Sequence, residues 1–323
     1  TTTAAILTHI FTKTKRSFTS VMGGFMNHNS SNLIGTGSET FIVEADEFDR
    51  SFLHLHPSFA CITSLEPDHL DVYKTNAAFL EAFIQFSKQV DHKLIVAYGL
   101  PISGISFGVD VEADYKAFNL QTTSEGYCFD LTTPTGTFKK VYLNQLGSHN
   151  VANTLAAIAL AEQAGTEMDE ILPLLKSFPG VYRRMNLYRW EEAIVIDDYA
   201  HHPTEIQRVY ETIQSFYPTH RNCVVFQPHL FSRTQNFWKE FSTVLSQFDE
   251  VVLMDIYPAR ETPIAGVTSK HLLEGIPHNQ KKHILKTEIQ SVIESSDASV
   301  FALLGAGDIG TEIQRLKPEL ASL

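Results

Sequence analysis

The strongest constraint on how this chain can fold lies in one acidic stretch between residues 41 and 73. Two short apolar runs, residues 41–43 and 59–62, are rich in strand-forming side chains. Acidic residues follow each run, with a histidine in the second group: Glu44, Asp46, Glu47 and Asp49, then Glu66, Asp68, His69 and Asp71. Two neighbouring parallel strands would bring both groups to one sheet edge, where open α/β folds bind ligands. Such oxygen ligands with one imidazole suit Mg²⁺ beside a phosphate, and the alternative is a solvated acidic loop after each strand.

Composition and charge narrow the class of protein. A chain of 323 residues, of which 43% are hydrophobic, can form two domains of ordinary size. Its formal net charge of −12 argues against a nucleic-acid partner, because nonspecific binding to nucleic acid needs a basic surface. No apolar run approaches the roughly 18 residues that cross a bilayer, so no membrane partner is expected either. The distant cysteines Cys61, Cys128 and Cys223 are typical of a reduced cytoplasmic protein, and the oligomeric state stays open.

The order of apolar and polar segments predicts an α/β fold with two domains. Residues 1–179 are predicted to form a mostly parallel sheet with an antiparallel edge, and residues 180–323 a doubly wound second domain. In the first domain we expect helices at 1–11, 75–90 and 151–164, strands at 18–22 and 93–97, a polar loop at 27–38 and hairpins at 114–146. In the second domain we expect strands at 193–196, 223–226, 251–254 and 300–304, which alternate with helices at 203–216, 234–247, 269–273 and 309–316.

Two further motifs allow both a structural and a functional interpretation. Asn150 and Asn153 share one face at the start of a predicted helix, and their spacing favours a helix cap over an amide pair that reads a polar ligand. Residues 305–310 match the dinucleotide-binding pattern G-x-G-x-x-G, which on its own would indicate a nicotinamide-dependent oxidoreductase. The motif follows the last predicted strand instead of opening a βαβ unit, so a tight strand-to-helix turn is favoured.

Seven segments taken together resemble one family, the Mur ligases, which use ATP to build the peptide of bacterial cell-wall precursors. They follow the family's order across nearly the whole chain: VEADEFDRSFLHL, EPDHLDVY, GSHNVANTLAAIALA, DDYAHHPTE, FQPHLFSRT, DIYPARETPIAG and GAGDIG. The resemblance implies a central P-loop-type ATPase domain followed by a Rossmann-like C-terminal domain. It further implies that ATP and Mg²⁺ are used to join L-alanine to UDP-N-acetylmuramate through an acyl phosphate, in peptidoglycan precursor synthesis.

The resemblance also bears on the start of the chain. In the family, a glycine-rich phosphate loop ending Gly-Lys-Thr-Thr-Thr runs into the helix that is predicted at residues 1–11. The chain is therefore expected to begin just after the lysine of that loop and to lack the N-terminal domain that holds the UDP group. On this expectation the isolated 323 residues bind nucleotide with little or no turnover.

For the first domain, the resemblance assigns metal and nucleotide ligands. Glu44 corresponds to the Mg²⁺ ligand near the γ-phosphate, and His69 to the ligand of a second Mg²⁺ near the substrate carboxylate. Thr1 corresponds to the Mg²⁺-binding threonine of the phosphate loop. The residues that correspond to positions at or beside the adenine are His149, Asn150 and Asn153.

For the second domain, the resemblance assigns residues around the phosphates and the incoming amino acid. Arg184 or Arg183 matches the arginine that meets the phosphates, and Asp198 matches a contact to the ribose and nucleotide. The residues expected to line the site of the amino acid and acyl phosphate are Tyr199, His201 and Arg233. The chain has Leu230 where many relatives have arginine, so Arg233 is expected to carry more of the binding of the amino-acid carboxylate.

The proposed chemistry gives His201 a role in proton transfer. The attacking amine must lose a proton, and His201 is expected to move it or to orient the amine, because imidazole titrates near the working pH. The nearest alternative within the family is the recycling ligase of the same branch, which adds a whole tripeptide to the same sugar nucleotide.

Overall fold

The computed structural model describes residues 1–65, 73, 75–316 and 321–322, so the second acidic group and His69 lie outside the described residues. The chain divides into two compact units, Thr1–Tyr182 and Arg183–Leu323. Each unit combines helices with sheets, which confirms the predicted α/β class. The boundary of the two domains between residues 179 and 180 stays a prediction.

The strands described in the first unit form a three-stranded and a six-stranded sheet. They are β1 (Phe18–Val21), β2 (Leu33–Gly35), β3 (Thr40–Val43), β4 (Phe59–Ile62), β5 (Lys93–Ala97), β6 (Ile105–Val109), β7 (Tyr115–Thr122), β8 (Tyr127–Thr133) and β9 (Gly136–Leu143). In the smaller sheet, β1 lies between an antiparallel β2 and a parallel β3. In the larger sheet, β4 to β7 are parallel and follow chain order, and β7 to β9 are antiparallel. The antiparallel edge is therefore confirmed.

Two expectations about these strands are wrong. The sequence predicts β3 and β4 to be neighbours, but β3 pairs with β1 and β4 pairs with β5, in separate sheets. An apolar run identifies a strand without identifying its partner, because pairing also depends on which compatible edge lies beside it. The predicted polar loop at residues 27–38 contains β2, whose three residues are two adjacent apolar side chains and a glycine, so its sequence lacks the alternation that marks a half-buried strand.

Helices cover these sheets in the first unit. They are α1 (Thr2–Lys13), α2 (Asn76–Ser87), α3 (Ser148–Gln163) and α4 (Met168–Leu175). The buried side of α3 is rich in alanine, which allows α1 to approach it closely. α2 begins after Thr75, whose hydroxyl accepts the N–H of Ala78 at 3.1 Å. Phe79 and Phe86 of α2 are buried in a cluster with side chains of β4 and β5, so the predicted aromatic stripe belongs to the core.

The second unit contains a seven-stranded sheet in the order β14-β13-β12-β15-β11-β10-β16. Its strands are β10 (Asn186–Trp190), β11 (Ala193–Asp198), β12 (Asn222–Phe226), β13 (Glu250–Leu253), β14 (Lys281–His283), β15 (Val300–Leu304) and β16 (Ala321–Ser322). The run from β14 to β11 is parallel, whereas β10 and β16 are antiparallel additions. Every residue of β12 and β15 is buried, as expected for central strands with both faces covered. The doubly wound prediction is confirmed.

The helices of the second unit are α5 (Pro203–Phe216), α6 (Phe231–Asn236), α7 (Trp238–Leu245), α8 (Ser269–Gly275), α9 (Ile289–Ser295) and α10 (Ile309–Leu316). α5 begins at Pro203 as predicted, with a capping box made by His202 and Glu205. The single helix predicted at 234–247 is wrong, because the backbone at Phe237 (φ −109°, ψ 26°) separates α6 from α7. Within the part of the chain that the structure describes, no helix is long and apolar enough to span a membrane.

Candidate functional site

The start of α1 and the end of β3 bring Thr1 and Glu44 together. The Thr1 hydroxyl donates to Glu44 Oε1 at 2.6 Å, and the Gly23 N–H donates to Glu44 Oε2 at 2.7 Å. A Cβ atom at Gly23 would lie 3.0 Å from Glu44 Oε1, so glycine permits this close approach. The hydroxyl and the carboxylate, 43 residues apart in sequence, thus form one cluster of oxygen atoms.

The atoms of this cluster suit a hard divalent cation. Burial alone would raise the pKa of Glu44, and the hydrogen bonds from the Thr1 hydroxyl and the Gly23 N–H act against that rise. An ionised carboxylate beside a hydroxyl is the kind of ligand pair that Mg²⁺ accepts, with phosphate oxygens and water completing its shell. Among the described residues, no group of three or more His, Cys, Asp or Glu could hold a metal by itself. His69, the predicted ligand of a second ion, lies outside those residues.

A chain of polar side chains links the starts of α1 and α3. Asn150 is buried and donates through Nδ2 to a carbonyl of the preceding turn at 2.7 Å. Asn153 Nδ2 donates to Asn150 Oδ1 at 3.1 Å, and the Thr3 hydroxyl donates to Asn153 Oδ1 at 3.3 Å. The N-cap of α3 is Gly147, so the interpretation of these asparagines as caps is wrong. The adenine contacts of Asn150, Asn153 and the half-buried His149 stay predictions.

Two adjacent arginines at the start of the second unit have different surroundings. Arg183 is 5% exposed, and its Nε donates to Asp197 Oδ1 at 2.9 Å while its Nη2 donates to the Gly305 carbonyl at 2.7 Å. The Arg184 side chain is 33% exposed, with Nη1 at 3.9 Å from Glu205 Oε1. The guanidinium of Arg183 is already engaged by Asp197, and its contact with nucleotide stays a prediction. Arg184 is therefore the better candidate for the phosphate-binding arginine.

Asp198 holds two loop segments together from the end of β11. Its Oδ2 accepts the N–H of Met185 at 2.8 Å, and its Oδ1 accepts the N–H of Ala200 at 2.7 Å. Burial raises the pKa of Asp198 to about 6, against the opposing effects of Arg184 and of these two N–H groups. The contact of this carboxylate with ribose stays a prediction for a residue that is only 6% exposed.

The loop after β11 presents Tyr199 and His201. His201 Nδ1 lies 2.9 Å from the Tyr199 carbonyl, which can only accept, so Nδ1 carries the proton and Nε2 has the lone pair. Burial lowers the pKa of His201, and the cation of Arg233 acts in the same direction, against the opposing carboxylate of Glu205. A neutral imidazole of this kind can accept a proton near neutral pH. The exposed Tyr199 ring lies 5.3 Å from the guanidinium carbon of Arg184.

The loop after β12 and the first turn of α6 supply a second imidazole and a buried cation. Arg233 is 8% exposed, and its Nη1 lies 3.2 Å from His229 Nδ1. The His229 ring stacks on Tyr257 with 5.7 Å between centroids, and it approaches the His201 ring at 5.9 Å. No sequence pattern predicted a role for His229 or Tyr257. The four-residue spacing of His229 and Arg233 at a helix start is the signal that could have indicated the pair.

Leu230 adopts an unusual backbone conformation in the same loop. Its φ of 70° and ψ of 136° lie in a region that residues with a Cβ rarely occupy, at a cost of about 1–3 kcal/mol. Its N–H donates to the Tyr257 carbonyl at 2.9 Å. The next turn is held by Glu261, which accepts the N–H of Ser232 at 3.0 Å and also its hydroxyl. The loop is therefore fixed on both sides of Leu230.

The glycine-rich motif after β15 is filled by side chains of its own unit. Gln227 Oε1 accepts the N–H of Ile309 at 2.9 Å, and Gln227 Nε2 donates to Asp308 at 2.5 Å. A Cβ atom at Gly307 would lie 2.4 Å from Gln227 Oε1, and one at Gly310 would lie 2.6 Å from Arg183 Nη1. The glycines thus make room for neighbouring side chains, which agrees with a strand-to-helix turn rather than a dinucleotide site.

Family models match both units of the chain. The Mur ligase middle domain matches residues 1–161, and the Mur ligase, glutamate ligase domain matches residues 183–309. The chain is 45% identical to a UDP-N-acetylmuramate--L-alanine ligase of Flavobacterium psychrophilum, over 99% of this chain and 72% of that protein. The chain belongs to the Mur ligase family. It is also 43% identical to the UDP-N-acetylmuramate--L-alanine ligase of Christiangramia forsetii, with the same coverage.

Solved Mur ligases share this fold. The crystal structure of UDP-N-acetylmuramate-alanine ligase MurC from Thermotoga maritima matches with a TM-score of 0.82 at 27% identity, over 98% of this chain and 72% of that one. A murein peptide ligase from Psychrobacter arcticus matches with a TM-score of 0.67 at 21% identity, over 99% of this chain and 75% of that one. The second similarity, at lower identity, concerns the fold alone.

In this Mur ligase the predicted site residues fall into separate clusters. In the first unit, Thr1 meets Glu44, and the starts of α1 and α3 are joined through Asn153. In the second unit, His201 and Arg233 gather around His229 at the carboxyl ends of the parallel strands, where open α/β sheets bind ligands.

Proposed function

We propose that this chain joins L-alanine to UDP-N-acetylmuramate at the expense of ATP, through an acyl phosphate, in peptidoglycan precursor synthesis. The identity of 45% over 99% of the chain to a UDP-N-acetylmuramate--L-alanine ligase supports this activity. The observation that carries it is the pairing of a neutral imidazole, His201, with a buried guanidinium, Arg233, around the ring of His229. Ligation of an amino acid needs both a proton acceptor for the amine and a cation for the carboxylate.

Thr1 and Glu44 would hold Mg²⁺ in this proposal. Their oxygen atoms lie 2.6 Å apart and match the donor chemistry of a hard cation. When bound, Mg²⁺ supplies positive charge that offsets the crowded oxygens of ATP and of the phosphorylated carboxylate. His69 is proposed for a second ion. Asn153, fixed by Asn150 and Thr3, would contact the adenine, and Arg184 would contact the phosphates.

The residues of the second unit would govern formation of the amide. An attacking amine must be neutral, and His201 can take its proton at Nε2 because Nδ1 is committed to the Tyr199 carbonyl. Arg233 would bind the carboxylate of the amino acid and offset the charge of the tetrahedral oxyanion. Exclusion of water would matter as well, since an acyl phosphate is readily hydrolysed. We place the protein in the cytoplasm, because its free cysteines Cys61, Cys128 and Cys223 are typical of a reducing compartment.

The test is phosphate release by the full-length protein with Mg-ATP, UDP-N-acetylmuramate and either L-alanine or the tripeptide. Release that depends on L-alanine supports the proposal, whereas release only with the tripeptide would identify a recycling ligase. No release with either amine would refute a ligase activity. Titration of NADH in the same buffer is the control for a nicotinamide site, and we expect no change in NADH fluorescence because side chains fill the glycine-rich turn.

A further inference from the structure

A row of aromatic rings lies along the carboxyl edge of the sheet in the second unit. The ring of Tyr199 is 5.5 Å from that of His201, His201 is 5.9 Å from His229, and His229 is 5.7 Å from Tyr257. The last pair is stacked, with an angle of 16° between the ring planes. The first two residues follow β11, His229 follows β12 and Tyr257 follows β13, so the row joins loops from different strands. His229 therefore lies inside a row of rings that joins three loops of this unit.

The stacked pair is held by the backbone as well as by its rings. The N–H of Tyr257 donates to the Pro228 carbonyl at 2.8 Å, and the N–H of Leu230 donates to the Tyr257 carbonyl at 2.9 Å. A Cβ atom at Gly307 would lie 2.7 Å from Tyr257 Cβ, so the glycine-rich turn leaves the space in which Tyr257 sits. The His229 ring is thus fixed in orientation before any ligand arrives.

The hydrogen bond of His229 sets its tautomer. Arg233 Nη1 lies 3.2 Å from His229 Nδ1, and a guanidinium can only donate. His229 must therefore keep Nδ1 unprotonated and carry its proton at Nε2. His201 shows the opposite arrangement, with the proton on Nδ1. The two neighbouring imidazoles are held in different tautomers by different partners, so they are suited to different tasks.

We propose that His229 is a positioning residue of the amino-acid site, whose unprotonated Nδ1 aims the Arg233 guanidinium at the carboxylate of the incoming amino acid. This inference rests on the proposed function and adds the residue that determines where that carboxylate binds. A guanidinium recognises a carboxylate through parallel N–H groups, so its orientation decides the strength of the contact. The uncharged side chain of Leu230 cannot contribute to binding the carboxylate. The orientation of the Arg233 guanidinium therefore has a larger effect on that binding.

The surroundings keep His229 in the state that this role requires. Burial, the neighbouring His201 and the cation of Arg233 lower the pKa of His229 to about 4, against the opposing carboxylate of Glu261, with Arg260 acting in the same direction as Arg233. The imidazole therefore remains an acceptor at neutral pH. Protonation would remove the acceptor and place a second cation against Arg233, so the arrangement excludes the charged form.

The test compares two substitutions of His229 in the full-length protein. Asparagine places its Oδ1 near the position of Nδ1 and can accept from Arg233, whereas His229→Leu removes the acceptor. Loss of a hydrogen bond to a charged group predicts a rise of roughly tenfold to a hundredfold in the KM for L-alanine in His229→Leu. The KM for ATP should stay within about twofold in both variants, since the proposed ATP ligands lie elsewhere, and His229→Asn should recover most of the affinity for L-alanine.

The possible outcomes separate this inference from the proposed function. An unchanged KM for L-alanine in His229→Leu, or an equal loss in His229→Asn, would overturn the positioning role. Should His229→Leu fail to fold, His229→Gln replaces it, because glutamine places its amide near Nε2 and is expected to weaken alanine binding as well. A wild-type enzyme that ignores L-alanine would overturn the proposed function, and this inference with it.

Discussion

The adjacent arginines Arg183 and Arg184 should respond to substitution in opposite ways. Arg183→Gln removes the guanidinium that is paired with Asp197, which is fully buried, and also removes the contact with the Gly305 carbonyl. The buried carboxylate then loses its cationic partner. Arg184→Gln removes a side chain that is 33% exposed and lies 3.9 Å from Glu205. The first change should therefore act on stability and the second on ligand binding.

The expected loss of stability in each variant follows from how deeply its arginine is buried. Removing one partner of a buried ion pair costs roughly 3–5 kcal/mol, whereas a half-exposed pair such as Arg184 with Glu205 contributes less than about 1 kcal/mol. At about 2–4 °C for each kcal/mol, Arg183→Gln should lower the Tm of the second unit by roughly 10 °C. Thermal unfolding followed by fluorescence or calorimetry measures this directly. Arg184→Gln should leave the Tm within about 2 °C and raise the KM for ATP.

A second substitution, at Asp197, tests why Arg183→Gln loses stability. If the cost arises from a buried charge, adding Asp197→Asn to Arg183→Gln should recover part of the lost stability, because the uncompensated charge is removed. A Tm of Arg183→Gln equal to that of the wild type would refute a stabilising role of the buried ion pair. A lower Tm for Arg184→Gln than for Arg183→Gln would refute it as well, because Arg183 is buried and Arg184 is partly exposed.

Three other predictions concern Glu44, Asp198 and His201. Glu44→Gln should lower kcat by about a hundredfold or more with an unchanged Tm, because a metal ligand contributes several kcal/mol to stabilising the transition state. Steady-state phosphate release measures this effect, and near-normal release would contradict the assignment of Glu44 as a metal ligand. The pKa of Asp198, raised to about 6, exceeds its unfolded value, so its contribution to stability is complete below about pH 4 and is lost as the pH rises through about 6. Between about pH 4 and pH 7, the free energy of unfolding of the wild type, measured in urea, should therefore fall by about 3 kcal/mol relative to that of Asp198→Asn. A difference between the two proteins that does not change with pH would argue against this pKa. His201→Gln should lower kcat roughly 10²- to 10⁴-fold and abolish the acid limb of the pH–rate profile. That limb is expected below pH 6.5, because the pKa of His201 is lowered from that value. A retained acid limb would exclude His201 as the proton acceptor.

Local patterns predicted the elements better than their pairing. The helix from Pro203 to Phe216 was readable because its proline, its cap and its apolar spacing all lie within the segment. Partners of β3 and β4 were not readable, because pairing depends on edges that distant residues create. The break at Phe237 was missed for a similar reason: its ring packs on His202 with 4.5 Å between centroids, a contact across the fold.

In the candidate site too, features within one segment were predictable from the sequence, whereas contacts between distant residues were not. Acidic and imidazole residues after strands marked the positions of Glu44 and His201, because strand ends are where open sheets bind ligands. The pairing of Glu44 with Thr1 depended on the family resemblance, since no local pattern links residues 43 positions apart. The sequence could not choose between Arg183 and Arg184, because only the packing of the loop decides which of two neighbours turns inward. His229 was missed because its role depends on the tautomer that Arg233 imposes.

The backbone at Leu230 has a consequence for how this site can diverge. Its positive φ of 70° is unfavourable for every residue with a Cβ, so leucine and arginine bear about the same conformational cost there. An exchange between them changes the charge and reach of the side chain at nearly constant folding cost. Position 230 can therefore take either side chain at a similar conformational cost, while the hydrogen bonds of Leu230 to Tyr257 and of Ser232 to Glu261 hold the loop in place.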